Sequence, residues 1–209
     1  MDLINKYFAT AYQTKDNDYI FFQNEINAQV LKTAYEYGIF PWPMAGEKRL
    51  TWFSPAQRGI LFLDQVHYPK SFLKFLKNHP YKITFNQNFE KVIQSCSQVK
   101  RKDQEGTWIT SELVKAYSEL HLQGNAFSIE VWKNDHLVGG LYGTHFNHFY
   151  SGESMFSLEK NTSKLALYYL INHLQEQQVT WLDIQVVTPL LESFGASLIP
   201  RSEFQKLLI

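Results

Sequence analysis

Residues 126–142 constrain the fold more tightly than any other stretch. Phe127, Ile129 and Val131 alternate with Ser128, Glu130 and Trp132, the period of two that a strand imposes on its two faces. Asn134-Asp135 is a turn pair, and residues 136–142 return as a hairpin partner. The other segments must therefore pack around an antiparallel sheet. Residues 25–37 carry Ile26, Val30, Leu31, Ala34 and Tyr35 at helical spacing, and Gly38 is a suitable stop. The stretch GIFPWPMAGEKRLTWFSP that follows is too rich in proline for a helix and too apolar for a solvent linker, so a packed loop is expected. Strands are expected at 59–63, 81–85, 145–150 and 181–186. Helices are expected at 71–77, 89–96, 163–176 and 189–194, and from a Thr110 cap to 122, with Glu112 in the first turn and Gly124 as the stop. Polar turns or loops are expected at 16–18 and 101–106. In helix 71–77, Phe72, Leu73, Phe75 and Leu76 form an apolar face opposite Lys70, Lys74 and Lys77. The order of elements predicts an α/β or α+β sheet domain behind a small, mostly helical front piece, with the boundary near 55–59.

Composition narrows the function classes. The 209 residues carry Lys+Arg 20 against Asp+Glu 20, with 44% hydrophobic and 16% aromatic residues. Balanced charge excludes whole-surface attraction to nucleic acid and leaves room only for a local basic patch. High aromatic content with low net charge excludes disorder. A chain of this length buries about 70% of its unfolded surface without staples. Cys96, the one cysteine, has no internal disulfide partner, and a standard secretion signal is not expected, so a cytoplasmic protein is predicted. Apolar runs fall far short of the roughly 20 residues of a membrane-spanning helix, so no membrane partner is expected.

Chemistry concentrates at two places. In WLDIQVV, strand parity puts Trp181, Asp183 and Gln185 on one face and Leu182, Ile184 and Val186 on the other, with the carboxylate and amide Cα atoms roughly 6.5–7 Å apart. An unpaired carboxylate amid apolar residues is costly unless something binds it. On spacing alone such a pair serves structural hydrogen bonding more often than catalysis. In GESMFS, Glu153 follows Gly152 in an expected loop after a strand, where a glutamate is ordinarily solvated. His145 and His148 lack accompanying ligands, so no metal is expected. Cys96 has no local nucleophile signature, and Val138-Gly139-Gly140-Leu141 reads as close packing inside the hairpin, not as a phosphate loop. Tyr35, Phe40, Trp42, Trp52, Trp108 and Tyr117 are numerous enough to line a pocket, although such residues are more often core.

Taken in order, AYEYGIFPWP, WFSPAQRGIL, GTWI, AYSELHLQGNAFSIEVW, LVGGLYG, GESMFS, NTSK, and DIQ with SFGA closely resemble the leucyl/phenylalanyl-tRNA protein transferase family from about Ile26 onward. The resemblance implies a small N-terminal domain over residues 1–58 and a GNAT-like acyltransferase domain over 59–209. It implies transfer of leucine or phenylalanine, and less well methionine, from tRNA to the N-terminal Arg or Lys of a protein, marking it for degradation. By the same resemblance Asp183, Gln185 and Glu153 take catalytic positions. Tyr35, Trp42, Trp108, Tyr117 and Leu170 lie at or near the aminoacyl-adenosine site, and Lys70, Lys74 and Lys77 lie where the family contacts the tRNA acceptor stem.

An aminoacyl ester is already activated, so neither ATP nor any cofactor is expected, and the enzyme must chiefly position and deprotonate. The Gln185 carbonyl is expected to accept a hydrogen bond from the attacking amine, with Asp183 polarising that amide; alternatively the tRNA ribose hydroxyl relays the proton. Glu153 offers negative charge to a cationic acceptor. The chain departs from the family at Phe127, where a histidine is usual, and at Ile184, where a cysteine is usual. It also departs at Leu170, where an aromatic helps form the side-chain pocket, and before its first AY motif, where a glycine-rich stretch is replaced. Parity predicts that Ile184 points away from the chemistry. Two rivals remain: a CoA-dependent N-acetyltransferase, which should carry a pyrophosphate loop that is not evident here, and a non-catalytic module that holds aminoacyl-tRNA. A monomer is the default expectation.

Overall fold

The computed structural model describes residues 9, 18–22, 26–42, 50–99, 108–146 and 149–208; the expected turn at 16–17, the loop at 101–106 and His148 lie outside them. In chain order the front part contributes β1 (Tyr19–Phe22), α1 (Ala28–Glu36), β2 (Phe40–Pro41) and β3 (Thr51–Ser54). Then come β4 (Gln57–Phe62), α2 (Lys70–Leu76), β5 (Lys82–Phe85), α3 (Phe89–Gln98) and α4 (Ser111–Leu122). The chain continues through β6 (Ala126–Lys133), β7 (His136–Phe146), β8 (Phe149–Ser157), α5 (Thr162–Glu176) and β9 (Trp181–Gln185), and closes with α6 (Pro189–Glu192), β10 (Ser197–Pro200) and α7 (Arg201–Leu207).

The strands form a three-stranded sheet, β1-β3-β2, and a seven-stranded sheet, β10-β4-β9-β8-β7-β6-β5. Every pairing is antiparallel except β8 with β9, which α5 joins by a crossover. The mixed, largely antiparallel architecture is the one expected. Its central hairpin turns through Asn134 and Asp135 at φ 48° and 61°, the left-handed pair that matches the twist of the strands. Thr110 caps α4 by accepting from the Leu113 amide at 3.3 Å.

Several expectations need correction. The presumed loop after Gly38 holds β2 and β3; Pro41 is tolerated there because β2 is an edge strand, where a missing N–H breaks no inner ladder. The strand expected at 145–150 is not a separate one: β7 runs through His145 to Phe146, β8 starts at Phe149, and His145 and Tyr150 are register partners across the two. Glu153 lies in β8, not in a loop. Leu73 is 43% exposed, so the apolar face of α2 rests on Phe72, packed against Tyr68, Tyr168 and Phe194. β1, β10 and α7 had no clear sequence signal. Among the described residues no helix is long and apolar enough to cross a membrane.

The large sheet separates two apolar layers. On one side α1, α3 and α4 bury Leu31, Tyr35, Val92, Leu113 and Tyr117 against Tyr142 and Trp181. On the other, α5 buries Leu165, Ile171 and Leu174 against Leu61, Ile129, Val131 and Leu182. The start of α5 comes so close to β7 that a Cβ on Gly139 would overlap the Thr162 side chain. Thr162 is itself fixed there, donating to the Val138 carbonyl at 3.0 Å. Gly139→Ala should therefore destabilise the fold by about 1–3 kcal/mol, the usual cost of overpacking. Urea unfolding measures this, and an unchanged midpoint would show that Thr162 yields freely.

Candidate active site

β8 and β9 meet at one register pair, Ser151 opposite Asp183, and part beyond it. Residues 152–155 of β8 and Leu182, Ile184 and Gln185 of β9 line a cavity of about 420 Å³. Neighbouring residues, of both parities, face the same space, so this is a cleft between the edges of two strands and not a pocket on one face of the sheet. Its volume lies in the range of small-ligand sites, roughly 300–1,000 Å³. Leu141, Leu167, Leu170 and Leu191 give it an apolar interior, and Trp42 and Trp108 also line it.

Two bulges shape the polar side. The β7–β8 register passes from Tyr142 opposite Ser154 to Gly143 opposite Gly152, leaving Glu153 as the extra residue. The β4–β9 register passes from Ile60 opposite Asp183 to Gly59 opposite Gln185, leaving Ile184 as the extra residue. Gln185 itself is in the left-handed region, at φ 56°. Bulges re-aim side chains, and here they break the strict alternation expected of WLDIQVV. Ile184 consequently lines the same cleft as Gln185, contrary to the expectation that it points away.

Asp183 and Arg58 are buried, at 0% and 1% side-chain exposure, and form a bidentate pair: Nε donates to Oδ1 at 2.7 Å and Nη2 to Oδ2 at 2.5 Å. The third arm of the guanidinium, Nη1, donates to the Gly38 carbonyl at 2.9 Å. The guanidinium also lies over the rings of Phe40 and Phe204, at 4.5 and 4.4 Å from their centroids. Asp183 further accepts the Gln185 backbone N–H at 3.0 Å and the Ser151 hydroxyl at 3.4 Å. Gln185 Nε2 donates to Ser151 Oγ at 2.7 Å and to Glu153 Oε1 at 3.2 Å. Both protons of that nitrogen are thereby engaged, and Oε1 is the part of the amide left to receive a donor. Asp183 thus reaches the Gln185 amide through Ser151 and through the main chain, not by direct side-chain contact.

Glu153 also accepts from Tyr117 OH and from Thr144 Oγ1, each at 3.4 Å. Burial pushes its carboxyl up to about 7. Behind it the Tyr35 and Tyr117 hydroxyls are 2.7 Å apart, and burial together with the Glu153 charge holds both phenols well above their ordinary value, in the protonated form.

Of the residues singled out in the sequence, Asp183, Gln185 and Glu153 come together, and Trp42, Trp108 and Leu170 line the adjoining cleft. Tyr35 and Tyr117 are fully buried and do not line it; they support Glu153 from behind. Lys70, Lys74 and Lys77 are exposed on or just after α2, and none lines the cleft. Sequence reasoning missed Arg58, Ser151 and Thr144. For Arg58 a signal existed, because a carboxylate buried at Asp183 requires a cationic partner and WFSPAQRGIL offers one.

Two family models match the chain, one described as leucyl/phenylalanyl-tRNA protein transferase over residues 60–209 and one as its N-terminal domain over 24–56. The chain belongs to this family. The leucyl/phenylalanyl-tRNA–protein transferase of Flavobacterium johnsoniae is 42% identical over 202 residues, covering 97% of this chain and 95% of its own. That of Flavobacterium psychrophilum is 45% identical over 184 residues, covering 88% and 87%. That of Pseudomonas aeruginosa is 43% identical over 180 residues, covering 86% and 79%. Among solved structures, a ribosomal-protein-alanine N-acetyltransferase from Brucella melitensis biovar Abortus 2308 aligns over 53% of this chain and 83% of its own, at TM-score 0.39 and 13% identity. That likeness has no bearing on the site.

Two measurements follow from the polar cluster. Arg58→Met leaves a buried carboxylate without its cation and should cost about 3–5 kcal/mol in urea unfolding, whereas the apolar double variant Arg58→Met/Asp183→Leu should be less damaging. A double variant as unstable as the single one would refute the desolvation argument. For Glu153, the folded carboxyl sits near 7 against an ordinary 4.5, so the native state holds the extra proton between those values. Its contribution to stability accordingly falls as pH rises through that window and levels off above it. Glu153→Gln should remove that slope from the pH dependence of the urea midpoint; parallel wild-type and variant curves would contradict the shift.

Proposed function

We propose that this chain transfers leucine or phenylalanine, and methionine less well, from aminoacyl-tRNA to the N-terminal Arg or Lys of proteins, marking them for degradation in the cytoplasm. In this reading residues 1–58 form a small front domain, residues 59–209 form the transferase domain, and the protein acts as a monomer. The observation that carries it is the juxtaposition of an apolar cleft with a polar rim of Gln185 and Glu153. The cleft takes the donor side chain and penalises polar ones by desolvation. Trp42 and Trp108 offer aromatic faces to the terminal adenosine, and Lys70, Lys74 and Lys77 offer charge to the acceptor-stem phosphates.

In the reaction the acceptor α-amine attacks the ester carbonyl carbon. A C–N bond forms, the C–O bond to the tRNA ribose breaks, and the proton shed by the amine ends on the departing ribose oxygen. The ester supplies the driving force, so the protein's contribution is orientation and hydrogen bonding. Gln185 Oε1 accepts a hydrogen bond from the attacking amine. Glu153 supplies negative charge near the cationic acceptor. Asp183 is a positioning residue: both its oxygens are held by Arg58, and it does not line the cleft. That locking favours the reading in which the ribose hydroxyl carries the proton.

Transfer of radiolabelled leucine and phenylalanine from charged tRNA to a peptide beginning with Arg, without ATP or CoA, tests the proposal. Wild type should transfer both, and Gln185→Ala should lose about 10²–10³-fold in rate, the usual cost of one positioned hydrogen-bonding group. tRNA binding without transfer would instead support a non-catalytic module, and acetylation of the same peptide in a parallel reaction where acetyl-CoA replaces the charged tRNA would support an N-acetyltransferase.

A further inference from the structure

The main chain turns sharply at the end of β9. The Val186 N–H donates to the Ile184 carbonyl at 2.6 Å, and Gln185 between them is at φ 56°. A hydrogen bond that spans two residues, with a positive φ at its centre, makes a γ-turn of the rare and strained kind, which a residue other than glycine adopts only where its surroundings hold it. One hold is Asp183, whose Oδ1 accepts the Gln185 N–H at 3.0 Å. The other is the lack of a side chain at Gly59, the register partner of Gln185 on β4. A Cβ there would stand 3.0 Å from the Val186 carbonyl carbon and the Val187 nitrogen, and 3.2 Å from the Gln185 carbonyl carbon. These are main-chain atoms and cannot swing aside as the end of a side chain does. β4 cannot retreat either, since Gly59 pairs on its other edge with Leu198 of β10, and the preceding residue, Arg58, is fixed on Asp183. Val186 is 37% exposed, so under pressure from Gly59 the turn is the part that yields. Gly59 itself lies outside the left-handed region, so an alanine there acts through its methyl group and not through backbone strain.

We propose that Gly59 is a positioning residue for aminoacyl transfer: its bare Cα leaves the room in which the turn from Ile184 to Val186 closes, and the turn holds the Gln185 amide at the rim of the cleft. This rests on the reading of Gln185 Oε1 as the acceptor for the attacking amine. A regular strand would send Ile184 and Gln185 to opposite faces, whereas the turn brings both to the cleft, with the Gln185 amide reaching Ser151 and Glu153. A methyl group on residue 59 displaces the Gln185–Val187 main chain by a few tenths of an ångström and carries that amide with it, while every side chain that lines the cleft is still present.

The test uses two variants, Gly59→Ala and Val186→Pro. The proline deletes the N–H that closes the turn and disfavours the turn conformation at Gln185. Both are assayed for leucine transfer from charged tRNA to a peptide beginning with Arg, well below their unfolding midpoints, and the side-chain amide of Gln185 is followed by NMR. In each variant kcat should fall by about tenfold while KM for the charged tRNA stays within about twofold, the pattern of a misplaced reacting group with donor binding intact. The Gln185 amide resonance should move from its wild-type position in both. Should Gly59→Ala not fold, Val186→Pro decides by the same readouts. A wild-type kcat with an unmoved Gln185 resonance in a folded variant, even one of lowered stability, would overturn the positioning role and leave Gly59 a packing residue. Wild-type transfer by Gln185→Ala would overturn the reading of Gln185, and the positioning role with it.

Discussion

The bidentate pair between Arg58 and Asp183 is the constraint around which the rest of the site is arranged. A carboxylate with 0% exposure is tolerable only when its charge is met, and Arg58 meets both oxygens from the adjacent strand β4. The same guanidinium reaches the carbonyl of Gly38 at the end of α1 and lies over rings from β2 and α7. One side chain therefore ties the front of the chain, the centre of the large sheet and the C-terminal helix to the residue from which Gln185 hangs. Arginine suits this position better than lysine, because its planar fork satisfies two carboxylate oxygens and a carbonyl at once.

From that anchor the hydrogen bonds run outward in one direction. Asp183 holds Ser151 and the Gln185 main chain, Ser151 accepts from the Gln185 amide, and the amide's other proton goes to Glu153. Tyr117 holds Glu153 from the opposite side, with Tyr35 behind it. Each group's orientation is decided by its neighbour, so the polar rim of the cleft is fixed by contacts within the fold itself. The deepest groups, Arg58 and Asp183, balance each other's charge away from the cleft, while the outer ones, Gln185 and Glu153, line it.

Much of this was legible in the sequence where periodicity governs. The β6–β7 hairpin, α4 with its Thr110 cap and the long helix α5 all follow from alternation, caps and helical spacing. Strands β1 and β10 were not, because their four-residue lengths are too short to show a period and their positions depend on tertiary pairing. The site was half legible. Asp183, Gln185 and Glu153 stand out as polar groups in apolar surroundings, but the two bulges that bring Glu153 and Ile184 into play are properties of strand pairing and leave no mark on a single strand's pattern. For the same reason parity misplaced Ile184. The role of Tyr35 and Tyr117 as supports for Glu153, set back from the cleft, likewise depends on how α1 and α4 pack on the sheet.

The most direct measurement is where a donor ring sits. With the methyl groups of Ile and Leu isotopically labelled, NMR cross-relaxation between those methyls and the phenyl protons of a 3′-amide-linked phenylalanyl-adenosine locates the ring without turnover. Contacts to Ile184, Leu167 and Leu170 are predicted, since these line the cleft between β8 and β9. Binding accompanied by contacts to none of these, and instead to exposed methyls such as Leu73 on α2, would contradict the assignment of the cleft as the donor site.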